Sequence, residues 1–95
     1  MKDLVVSERA TDDLTEIWLY IAVDSPFAAD RFVDELYRAC RALCDHSDLG
    51  RVRDDLQPEV RCLPYRRYLI FYRVGADSID IIRILSGYRD VTAIF

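Results

Sequence analysis

The stretch from Val60 to Asp90, VRCLPYRRYLIFYRVGADSIDIIRILSGYRD, decides the fold of this 95-residue chain. It holds two runs rich in β-branched and aromatic residues, separated by a short turn sequence that contains Gly75. The first run is apolar on both alternating faces. Tyr68, Ile70, Tyr72 and Val74 lie on one face, and Leu69 and Phe71 lie on the other. Two apolar faces indicate either a sheet that is covered on both sides or a face reserved for a partner.

Three strands are predicted in this part of the chain, at Glu59–Leu63, Arg67–Val74 and Ser78–Ser86. The links between them are so short that only antiparallel hairpins can form. The preceding segment, Asp45–Pro58, is polar and contains Gly50, which predicts a loop that could include one helical turn. After Gly87, the tail YRDVTAIF fits either a final strand or a short helical turn.

The N-terminal half predicts a short strand at Leu4–Val6 and two amphipathic helices. Ser7 is a favourable N-cap for a helix that runs to about Val23. Its apolar residues recur every three or four positions and form one stripe: Ala10, Leu14, Ile17, Trp18 and Ile21. Asp12, Asp13 and Glu16 are expected on the outer, solvated side.

A second helix is predicted to begin at Pro26, with Ser25 as its cap. Its buried stripe is Ala29, Phe32, Val33, Leu36, Cys40, Leu43 and Cys44. The short break between the helices implies an antiparallel hairpin. The predicted architecture is α+β, in the order β-α-α-β-β-β, with the helical hairpin packed on one face of a small antiparallel sheet. The other apolar face would be left open, as interaction sites often are.

Length and composition predict one small domain with no cofactor and no metal site. No apolar run approaches the roughly 20 residues that cross a bilayer, and the N-terminus lacks the apolar stretch of a signal peptide. We therefore expect a cytoplasmic protein. The three cysteines form no framework spacing and are expected to be small buried hydrophobes.

Charge is distributed unevenly within a net charge of −4. Residues 1–58 carry 7 basic and 13 acidic side chains, whereas residues 59–95 carry 6 basic, all arginine, and 4 acidic. Arginine favours planar pairing with carboxylate or phosphate groups. The arginine-bearing sheet therefore has the character of a recognition surface, while the overall charge argues against nucleic acid as the main partner.

Residue patterns typical of catalysis are scarce, so the arginines are the main candidates for function. Arg83 lies between two isoleucines and needs an acceptor, which is either an internal carboxylate or a partner's carboxylate. Arg89 follows the last strand and is expected to be more exposed, with Asp90 orienting it. His46, the only histidine, is placed at a helix end and is not expected to be catalytic.

The ordered set of these patterns resembles the ParE branch of the RelE/ParE toxin superfamily. The matching segments are SERATDDLTEIWLYIA, SPFAADRFVDELYRACRAL, LGRVRDDL, VRCLPYRRYLIFYRV and IIRILSGYRD. The resemblance implies the same β-α-α-β-β-β fold. It also implies a toxin that poisons DNA gyrase and is bound by a ParD-type antitoxin, with DNA contacted only through the antitoxin or gyrase.

The RelE branch shares this fold but cleaves messenger RNA in the ribosome. The resemblance implies that this cleavage uses an arginine on the third strand, an arginine after the last strand and often a tyrosine in the tail. In this sequence the corresponding positions hold the apolar Leu69, Arg89 and Phe95. These departures favour a non-enzymatic toxin, although a shift of one or two positions in the alignment would bring in Arg67 or Tyr68. A ribosome-dependent endoribonuclease and a non-toxic antitoxin-binding relative remain as alternatives.

Two sets of site residues follow. The antitoxin is expected to contact Arg61, Tyr68, Ile70, Tyr72, Arg73 and Arg83. Toxicity is expected to reside at the C-terminal end, in Tyr88, Arg89, Asp90 and Phe95.

Overall fold

The structure, a computed structural model, describes residues 1–95 and contains five strands and three helices. In chain order they are β1 (Asp3–Val6), α1 (Glu8–Ala22), α2 (Pro26–Asp45), β2 (Arg51–Val52), β3 (Arg61–Tyr65), β4 (Tyr68–Val74), β5 (Ser78–Ser86) and α3 (Val91–Ile94). The predicted β-α-α-β-β-β order is confirmed. The tail forms the short helical turn rather than a strand, and the two-residue β2 lies within the predicted loop.

The strands form one sheet in the order β1-β5-β4-β3-β2. The pairs β2–β3, β3–β4 and β4–β5 are antiparallel, as the short links between β3, β4 and β5 require for the last two. β1 instead pairs parallel with β5, and Asp3 lies opposite Ser78. The sheet is therefore mixed rather than purely antiparallel, because the whole chain between β1 and β5 serves as the long crossover that a parallel pair needs.

Both long helices begin at the predicted caps. The Ser7 hydroxyl accepts a hydrogen bond from the Ala10 backbone N–H at 3.0 Å, and the Ser25 hydroxyl accepts one from the Ala28 N–H at 3.1 Å. The apolar stripes of α1 and α2 pack against one face of the sheet. The main core consists of Ala10, Leu14, Ile17, Leu36, Cys40, Leu43, Cys44, Ile70, Tyr72, Ile79, Ile81 and Ile84.

The opposite face of the sheet is also covered, so the expectation of an open apolar face is wrong. Val60, Cys62, Phe71 and Leu85 form a second core on this face. Leu56, Leu69, Ile82, Val91, Ile94 and Phe95 pack against it. Half of these covering residues come from the C-terminal segment, which folds back as α3 instead of extending the sheet.

An irregularity in β5 allows Ile81 and Ile84, which are three positions apart in the chain, to lie in the same core. Tyr72 pairs with Ile81 and Phe71 pairs with Arg83, so Ile82 has no Cα partner across the β4–β5 ladder. This extra residue is a β-bulge, which shifts the alternation of side chains between faces. As a result Ile81 and Ile84 both enter the main core.

Candidate functional site

Arg83 is engaged in an internal ion pair. Its Nε and Nη2 donate to the two carboxylate oxygens of Asp13, each at 2.9 Å. Asp13 is only 5% exposed, so the expectation that it lies on the solvated side of α1 is wrong. The reason is that β1 ends at Val6 and α1 then lies against the edge of β5, where the Asp13 carboxylate also accepts the Ile84 N–H at 2.9 Å.

Ile70 and Tyr72 are fully buried and cannot contact a partner in this structure, which corrects their assignment to the antitoxin surface. They lie on the helix-covered face of β4, which the alternating pattern could not distinguish from the other face. The Tyr72 hydroxyl donates to the Ser47 carbonyl at 2.8 Å and accepts the Gly50 N–H at 2.7 Å. Burial raises the pKa of Tyr72, so the phenol stays protonated and holds the loop after α2.

Arg61 and Arg73 hold the segment between α2 and β3. Arg61 Nη1 donates to the Gly50 carbonyl at 2.8 Å, and Arg73 Nη2 donates to the Gln57 side-chain oxygen at 2.6 Å. Tyr68 is half-buried, with its ring 5.5 Å from that of Phe32. Contact of these residues with an antitoxin stays a prediction.

The end of the helical hairpin carries a cluster of exposed apolar side chains. Leu19, Tyr20, Val23 and Phe27, which we call the tip surface, are 57%, 77%, 85% and 71% exposed. Leu19 and Tyr20 lie in the last turn of α1 and Val23 is its C-cap, so their spacing of three and four residues makes them neighbours on the helix surface. Sequence reasoning missed this surface because it searched for the buried stripes. The available signal was the set of large apolar residues outside those stripes, beside the helix break.

The tip surface adjoins the C-terminal end of the sheet through a shallow pocket. Tyr20 lines this pocket, of about 280 Å³, together with Arg67, Tyr68, Ser86 and Tyr88. The guanidinium of Arg31 lies 5.9 Å from the ring centre of Phe27. Apolar side chains with arginines beside them suit a partner that carries apolar and acidic residues together.

The residues 87–90 form an exposed segment that we call the C-terminal turn. Tyr88 is 82% exposed, and Arg89 is exposed and makes no ion pair. Asp90 does not orient Arg89, because its carboxylate caps α3 and accepts the Thr92 N–H at 3.1 Å. The hydrogen bonds from Thr92 lower the pKa of Asp90. Phe95 is half-buried, and its ring lies 4.9 Å from that of Phe71.

The cysteines have no features of reactive thiols. All three are buried and unpaired. Burial raises their pKa, to about 12 for Cys40, so they are protonated thiols at neutral pH. No helix has the length and apolar character needed to cross a membrane.

A family model described as the ParE toxin of the type II toxin–antitoxin system parDE matches residues 4–91. The chain belongs to the ParE toxin family. Toxin RelE3 of Caulobacter vibrioides is 34% identical over 85 residues, which cover 88% of this chain and 92% of the relative. Toxin ParE1 of the same organism is 30% identical over 96 residues, which cover 98% and 97%.

This ParE-family toxin also resembles a solved structure, the chromosomal ParDE TA system from P. aeruginosa. The TM-score is 0.76 at 26% identity, and the match covers 90% of this chain and 96% of that one. The family match and the structural match confirm the fold and the resemblance read from the sequence. The protein is a toxin of a type II toxin–antitoxin system.

Proposed function

We propose that this ParE-family toxin acts in the cytoplasm by inhibiting DNA gyrase, and that a ParD-type antitoxin neutralises it. The observation that carries the proposal is the match to the ParE family over residues 4–91. The relative ParE1 and the solved ParDE structure support the same branch.

The chemistry of the exposed residues supports inhibition by docking rather than by covalent catalysis. The C-terminal turn presents an aromatic ring and an unpaired guanidinium, a combination enriched at protein interfaces. Arg89 would pair with carboxylates of the target, since its planar fork suits bidentate contacts. No cofactor or metal is needed for such a mechanism.

For the antitoxin, we propose an amphipathic helix laid on the tip surface. Four exposed apolar side chains give it anchors, and Arg31 and Arg67 lie beside the surface to pair with acidic residues. Tyr68 would contribute through the shared pocket. DNA would be reached only through a DNA-binding part of the antitoxin or through gyrase.

A supercoiling assay with purified gyrase tests the target. The chain should inhibit supercoiling, and Arg89→Ala should raise the half-maximal inhibitory concentration at least tenfold. Arg51→Ala is a matched control, because Arg51 is an exposed arginine on the edge strand β2, away from the turn. Wild-type chain that is folded and leaves gyrase fully active would refute the proposal.

A second candidate is a ribosome-dependent endoribonuclease. Two relatives carry RelE names, RelE3 and RelE2, the second 34% identical over 89 residues. Against it, Leu69 and Phe95 lack the guanidinium and hydroxyl that the RelE branch uses at those positions. Primer extension on translated messages separates the two: codon-linked cuts that disappear with Arg89→Ala would establish the nuclease. Induced expression without growth arrest would instead indicate a non-toxic antitoxin-binding relative.

A further inference from the structure

The last five residues, 91–95, which we call the tail, protect a surface of the sheet. Val60, Cys62, Phe71 and Leu85 are at most 6% exposed, and Val91, Ile94 and Phe95 of the tail pack against this cluster together with Leu56, Leu69 and Ile82. The tail itself is only half-buried or exposed. It thus forms one part of the cover over an apolar surface of the sheet.

Apolar contacts alone hold the tail to the sheet. The hydrogen bonds of residues 91–95 are local, as in the Ala93 N–H to the Asp90 carbonyl and the Phe95 N–H to the Val91 carbonyl. None of these residues forms an ion pair with the sheet. One of these contacts is between aromatic rings, with the ring of Phe95 centred 4.9 Å from that of Phe71.

The contact between Phe95 and Phe71 also constrains the C-terminal turn. At its start, the Gly87 N–H donates to the Arg67 carbonyl at 2.8 Å. At its end, the Asp90 carboxylate caps the four-residue helix that carries the chain to Phe95. The turn is therefore fixed at both ends, and the second end depends on whether the tail is docked.

We propose that Phe95 is a positioning residue for toxicity: by docking on Phe71 it holds the tail against the sheet and fixes the orientation of Tyr88 and Arg89. This inference rests on the proposed function in one respect: it assumes that the C-terminal turn is the segment that binds the target. In this proposal Phe95 acts through its contact with Phe71, and Tyr88 and Arg89 contact the target. Its contribution to toxicity is therefore indirect.

Cys62 provides a direct readout of tail docking. It is 6% exposed in the second core, where it is the cross-strand neighbour of Phe71, the residue that the Phe95 ring covers. Cys40 and Cys44 belong to the main core on the other side of the sheet. Burial raises the pKa of the Cys62 thiol, which slows its reaction with alkylating reagents. Release of the tail should expose this thiol and leave the other two protected.

The first experiment measures iodoacetamide labelling of each cysteine in the full chain, by peptide mass spectrometry. Phe95→Ala should accelerate labelling of Cys62 at least tenfold and leave Cys40 unchanged. Phe95→Tyr keeps the ring and should label like wild type. Ala93→Ser, on the exposed side of the tail, is the control. Equal Cys62 labelling in Phe95→Ala and wild type overturns the proposal, as does parallel acceleration at Cys40, which would mean general loss of structure.

The second experiment measures growth arrest on induced expression, together with antitoxin binding. Phe95→Ala should require at least tenfold more inducer than wild type to arrest growth, whereas Phe95→Tyr should arrest growth at the wild-type inducer concentration. Both variants should bind antitoxin as wild type does. Undiminished arrest by Phe95→Ala with an exposed Cys62 refutes the positioning role. Growth arrest by wild type without gyrase inhibition refutes the gyrase target alone, since the Phe95 comparison does not depend on the identity of the target.

Discussion

Asp13 and Arg83, 70 residues apart in the chain, form a bidentate ion pair that joins α1 to the edge of β5. The same carboxylate accepts the Ile84 N–H on the side of β5 that has no strand beside it, because the pairing with β1 ends at Val6 and Ile81. Asp13 thus does two things at once: it neutralises a poorly exposed guanidinium and completes the hydrogen bonding of the sheet edge. The pair is a structural element of the fold, and Arg83 is not available as a free recognition residue.

Asp13→Ala should therefore be strongly destabilising. Removing one partner of a buried ion pair leaves the other charge unpaired, which costs about 3–5 kcal/mol. Asp12→Ala, at the exposed neighbouring position, should change the free energy of unfolding by less than about 0.5 kcal/mol. Urea denaturation measures both. Equal midpoints for the two variants would show that the bridge contributes nothing.

Much of the fold could be predicted from the sequence because local signals were strong. The caps at Ser7 and Ser25 and the short links between β3, β4 and β5 leave few alternatives. The position of β1 could not be predicted, since nothing local specifies which distant strand it will pair with. The same holds for the tail, where VTAIF fits a strand or a helical turn equally well.

The site was less predictable for a related reason. Alternation in β4 shows that both faces are apolar, but it cannot show which face the helices cover. The pattern alone therefore does not reveal that Ile70 and Tyr72 lie in the core. For Arg83, the sequence does not distinguish an internal carboxylate from a partner's carboxylate as the acceptor. The tertiary structure shows that the acceptor is Asp13. The exposed C-terminal turn was predictable because it follows the last strand.

Tyr72→Phe tests the link between the sheet and the loop after α2. Loss of the hydroxyl leaves the Gly50 N–H and the Ser47 carbonyl without their partner, at a cost of about 1–3 kcal/mol. Tyr88→Phe is the matched control, because that tyrosine is 82% exposed. Thermal or urea unfolding of the two variants gives the comparison. Identical stabilities would mean that the phenol does not hold the loop.

Alkaline pH should destabilise the protein. Burial raises the pKa of Cys40 from 9.0 to about 12, so the unfolded chain loses this proton at a lower pH than the folded chain does. The associated stability is fully present below pH 9 and is lost as the pH rises toward the folded-state pKa. Urea midpoints at increasing pH, with reductant present, should fall above pH 9, and less steeply in Cys40→Ala. A flat profile in wild type would contradict the burial of this thiol.

Antitoxin binding should depend on the tip surface. Phe27→Ser and Tyr20→Ala should each weaken the complex about tenfold or more, as expected for aromatic anchors in an interface. Both side chains are more than two-thirds exposed, at 71% and 77%, so the melting temperature of the free toxin should change little. Leu49→Ala, an apolar residue 55% exposed in the loop after α2, is the control. Calorimetric titration with the antitoxin that shows no difference among the three variants would place the interface elsewhere.

We propose that this ParE-family toxin acts by docking on gyrase and breaks no covalent bond itself. In the most direct test, one active preparation of the toxin is incubated with gyrase and plasmid DNA, and in parallel with translating ribosomes. Cleavage of the plasmid and cleavage of the messenger RNA are then measured. We predict that cleaved plasmid accumulates only when gyrase is present and that messenger RNA stays intact. Antitoxin should abolish the plasmid cleavage, and Arg89→Ala should require at least tenfold more protein to produce it. Cleaved messenger RNA with no gyrase-dependent plasmid cleavage would contradict the claim.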